Sequence, residues 1–167
     1  QYFSIYFKIG SKILIKYAAK TSEHIFSVSN YSKESIIKKY GIKPDKITVI
    51  YNAASNTFVN TGENNNSLLK RYAKPTKYIL TVGRSDIRKN YRTLIAAYSI
   101  IKDKAPPLVI VDSSAKRFVL MKLIEKFHLQ DKITIISNIN NEVLSEIYKN
   151  AALFIYTSYA EGFGIPV

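Results

Sequence analysis

The feature that most constrains this fold is a repeated alternation of short apolar runs with segments of helical periodicity. The apolar runs are rich in β-branched, aromatic and aliphatic residues, as strands buried in a sheet are. The predicted strands are His24–Ser29, Lys46–Tyr51, Tyr78–Val82, Leu108–Val111, Lys132–Ile136 and Leu153–Thr157. Strands that alternate with helices at this spacing are typical of β-α-β units. The sequence therefore predicts an α/β chain built on parallel sheets.

The intervening segments have recognisable helix ends. The predicted helices are Asn30–Tyr40, Tyr91–Asp103, Ser114–His128 and Asn141–Asn150. Gly41 is a normal helix stop, Asn90 is a candidate N-cap, and either Asn140 or Asn141 is a candidate N-cap of the last helix. The predicted apolar faces consist of Leu94, Ile95, Tyr98 and Ile101 in the second helix, and Phe118, Met121, Leu123, Ile124 and Phe127 in the third. A polar stretch, Asn52–Ser67, is the best linker candidate, and Leu68–Ala73 is predicted to be a short helix.

Composition excludes several classes of protein. The chain has 167 residues, 47% of them hydrophobic, and a formal net charge of +13. Wholesale disorder is not expected at this hydrophobic content. Because there is no Cys, disulfides and thiolate metal sites are excluded. No uninterrupted apolar run approaches the roughly 18 residues that a membrane-spanning helix needs.

The amino-terminal segment 1–20 is aromatic and apolar but contains regularly spaced lysines. Lys8, Lys12, Lys16 and Lys20 fall on one helical face. Two interpretations remain open: a packed helix with a solvated basic face, and an interfacial helix that lies on an anionic membrane. The sequence favours the packed helix.

The loop after the strand Tyr78–Val82 combines a glycine with cations. Gly83 ends the strand, and Arg84 and Lys89 lie between the strand's carboxyl end and the next helix. In open α/β sheets ligands bind in that crevice, and a helix amino end favours anions. The loop therefore suits a diphosphate. From this loop alone, an equally good interpretation is that Arg84, Arg88 and Lys89 are ordinary solvated charges.

A second loop, SYAEGFGIPV, follows the last predicted strand. Glu161 stands at the same predicted sheet edge as Arg84 and Lys89. Gly162 and Gly164 permit a close backbone approach to a ligand. This arrangement suits a ligand with both hydroxyls and phosphates, whereas in the simpler interpretation Glu161 only caps a following helix.

Taken together, the two loops resemble the donor half of the retaining glycosyltransferases of family 4, which have the GT-B fold. The sequence VGRSDIRKN has that family's Gly-Arg and its Lys five residues after the Arg, and EGFGIPV matches the opening of its E-x7-E motif. The second Glu would fall at position 169, beyond Val167. The segments HIFSVSNYSKESIIKKYGIKPDKITVIYN and NEVLSEIYKNAALFIYTS are also similar to that family. The chain is therefore expected to be a fragment that is inactive, or nearly so, by itself.

The resemblance implies a Rossmann-like, doubly wound parallel sheet in GT-B arrangement. It implies that residues 1–58 end an amino-terminal acceptor domain, 59–67 link the domains, and 68–167 form most of a nucleotide-sugar-binding domain. The implied function is transfer of a sugar from a nucleotide-diphosphate sugar to a glycan or lipid-linked acceptor, with retention of anomeric configuration. The implied catalytic residues are Arg84, Lys89 and Glu161. The implied donor-binding residues are Gly83, Arg84, Lys89, Ile139, Glu161, Gly162, Phe163 and Gly164.

The sequence departs from the family pattern after two strands. Asp112-Ser113 and Ser137-Asn138-Ile139 occupy places where the family often has a glycine. An acidic Asp112 is unexpected beside a diphosphate unless its side chain points away. With only two histidines, far apart, no metal site is expected. The resemblance implies no cofactor, since the nucleotide-sugar is a substrate.

Two other functions share some of these features. A nucleotide-sugar epimerase on the same fold would use the same phosphate loop. A basic nucleic-acid-binding module is permitted by the charge, but the lysines and arginines are spread along the chain and form no recognition motif, so no nucleic acid is expected. The expected location is cytoplasmic, with a peripheral contact at the anionic inner membrane face as an open alternative.

Overall fold

The computed structural model describes residues 5–59, 77–114 and 117–166. These residues fall into two compact units. The first comprises Gln1–Ala53 with Gly162–Ile165, and the second comprises Ala54–Glu161 with Pro166–Val167. Residues 60–67 of the predicted linker and the predicted helix Leu68–Ala73 lie outside the described residues, so the proposed domain bounds stay a prediction.

The first unit is a β-α-β arrangement preceded by a helix. Its elements are α1 (Ile5–Thr21), β1 (Ile25–Ser27), α2 (Asn30–Tyr40), a 3₁₀ turn (Pro44–Lys46) and β2 (Ile47–Val49). The strands β1 and β2 pair in parallel, as a crossover helix requires. The Ser29 side chain accepts the Ser32 N–H at 3.1 Å and caps α2. Gly41 adopts a left-handed φ of 66° and ends α2, so the predicted stop is confirmed.

Helix α1 is described here by its side chains from position 10 onward, most of which are exposed. Of its side chains from position 10 onward only Ala19 is buried, in a small cluster with Ile42 and Ile47. Leu14 is 69% exposed, and Ile13, Ile15 and Tyr17 are also exposed. This exposure contradicts the packed-helix interpretation for these side chains. Within the described part of the chain, no helix combines the length and the apolar character needed to cross a bilayer.

The second unit contains a parallel sheet of four strands. Its strands are β3 (Ile79–Val82), β4 (Leu108–Val111), β5 (Ile133–Ile136) and β6 (Leu153–Phe154). Its helices are α3 (Asn56–Val59), α4 (Tyr91–Ile101), α5 (Arg117–Lys126) and α6 (Asn141–Lys149), and a 3₁₀ turn covers Ile87–Lys89. The strand order is β5-β4-β3-β6 and every pairing is parallel.

The sheet is covered on both faces, which explains why its strands are apolar at consecutive positions. Ile79 packs on one side with residues of α4 and α5, and its neighbour Leu80 packs on the other side with residues of α6. Leu108 and Ile110 alternate with Val109 and Val111 in the same way. The predicted doubly wound parallel sheet is confirmed.

Some local predictions are wrong. In the predicted apolar face of α5, Ile124 is buried and Leu123 and Phe127 pack against the core as predicted, but Phe118 and Met121 are exposed and Leu120 is buried in their place. Ile101, predicted for the apolar face of α4, is also exposed. Because α5 is apolar on most of its circumference, its periodicity did not select the face that packs. Asn90 precedes α4 as predicted, but it has a left-handed φ of 56° and its side chain makes no capping hydrogen bond.

The other predicted helix start is correct. Asn140 caps α6, and its side chain accepts the Val143 N–H at 3.0 Å.

Candidate functional site

The strand order creates a crevice at the carboxyl edge of the second sheet. The chain passes from β3 outward to β4 and β5, and then returns to β6 on the opposite side of β3. The order of strands along the chain therefore reverses at β3, and the loops that follow the neighbouring strands β3 and β6 lie side by side at this edge. Such a topological switch point is where open α/β sheets bind ligands. The loop after β3 contains Arg84 and Lys89, and the loop after β6 contains Glu161.

Gly83 permits a close approach of the Lys89 side chain. A Cβ atom added at Gly83 would lie 3.0 Å from the Lys89 Cε and 3.3 Å from the Tyr91 hydroxyl. Gly83 does not have a positive φ. A glycine is needed here because it leaves space for the Lys89 side chain, and not because of a special backbone conformation. The Tyr91 hydroxyl also donates to the Gly83 carbonyl oxygen at 2.9 Å, which holds the loop against α4.

Lys89, Tyr156 and Glu161 form a hydrogen-bonded cluster. The Lys89 ammonium donates to the Tyr156 hydroxyl at 2.6 Å and to the Glu161 carboxylate at 2.8 Å. The side chains of Lys89 and Glu161 are only 11% and 19% exposed. For Lys89, the interpretation as an ordinary solvated loop charge is therefore wrong. Glu161 is paired with Lys89 in this cluster.

The two charges of this cluster stabilise each other. Burial acts to lower the pKa of Lys89, but its hydrogen bonds with Glu161 and Tyr156 outweigh burial, so the pKa is raised. Burial acts to raise the pKa of Glu161, but hydrogen bonding to Lys89 outweighs it, so that pKa is lowered. Both residues therefore remain ionised at neutral pH.

The two loops are also joined through the backbone. The Thr157 hydroxyl donates to the Lys89 carbonyl oxygen at 3.0 Å, and the Tyr159 N–H donates to the Arg88 carbonyl oxygen at 2.9 Å. The Arg88 guanidinium lies 3.5 Å from Glu161 but is 54% exposed. These bonds fix the distance between the loops, so the Lys89–Glu161 pair does not depend on side-chain attraction alone.

Arg84 is exposed, as Arg88 is. The Arg84 side chain forms no hydrogen bond or ion pair with any residue in the described part of the chain, whereas Arg88 is paired with Asp86 and Glu161. Together with Gly83 and Lys89, Arg84 lines a cavity of about 350 Å³. The cavity continues past the ends of β4 and β5, where its lining consists of Val111, Asp112, Ser113, Ser137, Asn138, Ile139 and Leu144. Arg84 is therefore free to contact a ligand in this cavity.

Asp112 lies in the cavity lining but does not present a free carboxylate. It is 0% exposed. Its Oδ1 accepts the N–H groups of Ser85 and Ser114 at 3.0 and 2.8 Å. Its Oδ2 accepts the Ser114 hydroxyl at 2.9 Å and also the Ser85 hydroxyl. The carboxylate of Asp112, which was unexpected at this place, is thus fully hydrogen-bonded to neutral donors.

The remaining predicted donor-binding residues divide into two groups. Ile139 lines the cavity directly after Asn138, whose φ is a left-handed 56°. Gly162, Phe163 and Gly164 do not line it, and Gly162–Ile165 group with the first unit, where the Gly162 carbonyl oxygen accepts the Ser32 hydroxyl at 3.2 Å. The structure therefore brings Gly83, Arg84, Lys89, Ile139 and Glu161 to one edge of the sheet. The binding and catalytic roles of all eight predicted residues stay a prediction.

Sequence reasoning missed Tyr156, Ser85 and Tyr91. Tyr156 was predicted only as part of a strand, although a tyrosine at the carboxyl end of the last strand is a usable signal. The roles of Ser85 and Tyr91 depend on tertiary contacts with Asp112 and Gly83 and have no sequence pattern of their own. Among the described residues, no group of three or more His, Cys, Asp or Glu is arranged to hold a metal ion.

Comparison with protein families matches nearly the whole chain to glycosyltransferases. Residues 66–167 match the family described as glycosyl transferases group 1. Residues 2–55 match glycosyltransferase family 4.

Individual relatives point the same way. The chain is 29% identical to the O-antigen chain mannosyltransferase RfbU of Salmonella typhimurium over 95% of this chain and 42% of that protein. It is 31% identical to the N-acetylgalactosamine-N,N'-diacetylbacillosaminyl-diphospho-undecaprenol 4-alpha-N-acetylgalactosaminyltransferase of Campylobacter jejuni over 92% of this chain and 40% of that protein. The chain therefore spans less than half the length of these relatives.

Solved glycosyltransferase structures share the fold. The sucrose-phosphate synthase from Thermosynechococcus elongatus matches with a TM-score of 0.78 at 23% identity, over 95% of this chain and 40% of that one. HepE from Anabaena, in complex with UDP-glucose, matches with a TM-score of 0.75 at 17% identity, over 96% of this chain and 44% of that one. At these identities the likeness shows the fold alone, and the GT-B prediction is confirmed at that level.

Proposed function

Because the chain belongs to the family of glycosyl transferases group 1, we propose that the protein transfers a sugar from a nucleotide-diphosphate sugar to an acceptor, with retention of the anomeric configuration. The observation that best supports this proposal is the meeting of Arg84, Lys89 and Glu161 at the switch point of the sheet. The Arg84 side chain has no partner among the described residues and lines a cavity, while Lys89 is held in place by Glu161 and Tyr156.

The proposed role of the two cations is to stabilise the leaving group. When the bond between the sugar and the diphosphate breaks, negative charge grows on the diphosphate. Cations held at that point stabilise the transition state more than the ground state, which is the condition for catalysis. Each charge-assisted hydrogen bond contributes roughly 1.5–3 kcal/mol.

Lys89 retains one donor for this task. An ammonium group has three N–H donors. Tyr156 and Glu161 each accept one of them, and the third remains available for a phosphate oxygen. Because the ammonium is already held in position, little conformational entropy is lost when the nucleotide-sugar binds.

Glu161 is proposed to accept hydrogen bonds from hydroxyls of the donor sugar. Its Oε1 accepts from Lys89 at 2.8 Å, and its Oε2 lies 3.5 Å from the Arg88 guanidinium, which is largely exposed and can move aside. The acceptor site on Oε2 that faces Arg88 is the one proposed to become available to a sugar hydroxyl. The backbone of Gly162, Phe163 and Gly164 is proposed to assist at the same hydroxyls.

The reaction is proposed to need no divalent metal and no other cofactor. Two cations supply the positive charge that a metal ion would otherwise supply at a diphosphate. Transfer should therefore persist in the presence of EDTA. A loss of activity with EDTA that Mg²⁺ or Mn²⁺ restores would contradict this part of the proposal.

The proposal is tested by incubating the full-length protein with a panel of UDP- and GDP-sugars and candidate acceptors. We expect release of the nucleoside diphosphate to depend on the acceptor. NMR of the product should show the same anomeric configuration as the donor. Isomerisation of the donor without an acceptor would instead favour the epimerase, and salt-sensitive retention of nucleic acid without turnover would favour a binding module.

The acceptor is proposed to be a glycan or a lipid-linked saccharide reached from the cytoplasmic face of the inner membrane. The Campylobacter jejuni relative is named for a diphospho-undecaprenol acceptor, which supports a lipid-linked substrate. Helix α1 supports contact with an anionic bilayer, because Lys12, Lys16 and Lys20 are exposed on the same helix as Leu14 and Tyr17. Each lysine near an anionic surface contributes about 1 kcal/mol.

Membrane contact is tested by co-sedimentation with vesicles. The protein should pellet with vesicles that contain phosphatidylglycerol and not with phosphatidylcholine alone, and salt should release it because charges are screened. A variant with Lys12, Lys16 and Lys20 changed to Gln should lose most of this binding, whereas a matched variant with Lys102, Lys104 and Lys132 changed to Gln should retain it. Equal pelleting with both lipids, or with neither, would remove this part of the proposal.

A further inference from the structure

The loop that contains Arg84 is fixed on both sides of this residue. On one side, the Gly83 N–H donates to the Val111 carbonyl oxygen at 3.0 Å, and the Gly83 carbonyl oxygen accepts the Tyr91 hydroxyl. On the other side, the N–H and hydroxyl of Ser85 donate to Asp112. Only the Arg84 side chain between these anchors is free of bonds to described residues.

The Asp112 carboxylate is the less expected of these anchors. A buried carboxylate without partners is costly, yet no Lys or Arg among the described residues pairs with Asp112. Its four hydrogen bonds come from two N–H and two O–H groups. Because these neutral donors satisfy it, Asp112 does not compete with a ligand for the guanidinium of Arg84.

We propose that Asp112 is a positioning residue, which fixes the backbone at Ser85 and thereby directs Arg84 into the cavity. The inference rests on the proposed function, since it assumes that Arg84 meets a diphosphate there. The carboxyl end of β4 holds Asp112 itself, because its N–H donates to the Ile136 carbonyl oxygen of β5 at 2.9 Å. The anchor is therefore part of the sheet and not of the loop that it holds.

The opposite expectation is that an acid in this place only repels the diphosphate. The two accounts predict opposite signs for the same substitution. If Asp112 merely repels, replacing it by Ala or Asn should tighten binding of a nucleoside diphosphate. If it positions Arg84, Asp112→Ala should weaken binding. Asp112→Asn should stay close to the wild type, because the amide oxygen can accept both N–H groups and the serine hydroxyls can rotate to accept its N–H₂.

The experiment measures binding of UDP and GDP to the full-length protein by calorimetry. For Asp112→Ala we expect a loss of affinity of about tenfold, the size of one misplaced charge-assisted contact. Asp103→Ala is the matched control, since this aspartate of the same unit is 79% exposed, and it should bind as the wild type does. Unchanged or tighter binding by Asp112→Ala would overturn the inference.

A double substitution separates positioning from a general structural effect. If Asp112 acts through Arg84, adding Asp112→Ala to Arg84→Ala should cost almost nothing further, because effects of coupled residues do not add. A full additional loss in the Arg84→Ala background would contradict the inference. If Asp112→Ala fails to fold, Ser85→Ala is the substitute, because it removes one of the four hydrogen bonds to Asp112. It should weaken nucleotide binding about threefold when Arg84 is present and have no effect in the Arg84→Ala background. Wild-type affinity in Ser85→Ala would overturn the proposal. Absence of nucleotide binding by the wild type would instead contradict the proposed function.

Discussion

The candidate site contains two carboxylates that are satisfied in opposite ways. Glu161 pairs with a cation, and this ion pair holds Lys89 in a nearly buried position. Asp112 is more deeply buried but is satisfied by four neutral donors. The two cations of the site differ accordingly: Glu161 holds Lys89 in place, whereas the Arg84 side chain has no ion-pair partner in the part of the chain that the structure describes. Lys89 is preorganised because it is a hydrogen-bond donor to Glu161. Arg84 stays available to a ligand because neutral groups, and not Arg84, donate to Asp112.

The largest expected effect is the loss of the preorganised cation. In the full-length enzyme Lys89→Met should lower kcat by roughly 10²–10³-fold, as removal of a preorganised electrostatic donor does. It should also lower the melting temperature, because Glu161 is left largely buried without its main partner. Steady-state kinetics and thermal melts measure both, with Lys132→Met as the matched surface control. A wild-type kcat in Lys89→Met would contradict the assigned role.

Loss of the free cation should separate activity from stability. Arg84→Ala should lower kcat/KM by roughly 10–100-fold, the equivalent of one or two charge-assisted contacts with a diphosphate. Its melting temperature should not change, because the Arg84 side chain makes no hydrogen bond or ion pair with the described residues. If Arg84→Ala were destabilised as strongly as Lys89→Met, the distinction between the two cations would be wrong.

A smaller effect is expected when only the hydroxyl of Tyr156 is removed. The Lys89 ammonium lies 4.6 Å from the centre of the Tyr156 ring, and Tyr156→Phe keeps this contact while it removes the 2.6 Å hydrogen bond. We expect kcat to fall about three- to tenfold, since a net hydrogen bond to a charged group is lost but the cation stays near its place. Tyr159→Phe is a matched control because the Tyr159 side chain is 70% exposed. An effect as large as that of Lys89→Met would mean that Tyr156 has a role beyond positioning.

The smallest effect concerns pH. The pKa of Glu161 is lowered on folding from its usual 4.5, so its contribution to stability is complete above that value and is lost as the pH falls through the folded pKa. The pKa of Lys89 is raised from its usual 10.5, so its contribution is complete below that value and is lost as the pH rises through the folded pKa. The difference in unfolding free energy between the wild type and Glu161→Gln should therefore be constant from about pH 6 to about pH 9.

Chemical denaturation across this pH range checks the prediction. The difference should shrink in acid, as Glu161 of the wild type becomes protonated. A difference that changes between pH 6 and pH 9 would show that the pair titrates near neutrality and that the stated pKa directions are wrong.

The sequence predicted the sheet and the approach of Lys89 to Glu161 because both depend on topology. Once β3 and β6 are strands of one parallel sheet, residues that follow their carboxyl ends must lie at the same edge. The bounds of α2 and β4 were also predictable, since their apolar patterns and the Gly41 stop are local signals.

Features that depend on tertiary contacts were not predictable. The buried face of α5 depends on which of its apolar sides meets the sheet, and the left-handed Asn90 depends on the short 3₁₀ turn before it. Asp112 looked unfavourable because the sequence does not show that Ser85 and Ser114 surround it. In each case the decisive partner is distant in sequence or has no pattern that identifies it.

The central claim is that the cations at the switch point bind the diphosphate of the donor. The most direct test is equilibrium binding of UDP and GDP, measured beside binding of uridine and guanosine, to the full-length wild type and to the Arg84→Ala/Lys89→Met double variant. The account predicts that the wild type binds at least one nucleoside diphosphate more tightly than the matching nucleoside, and that the double variant loses this difference while it stays folded. A double variant that still prefers the diphosphate as strongly as the wild type does would contradict the account.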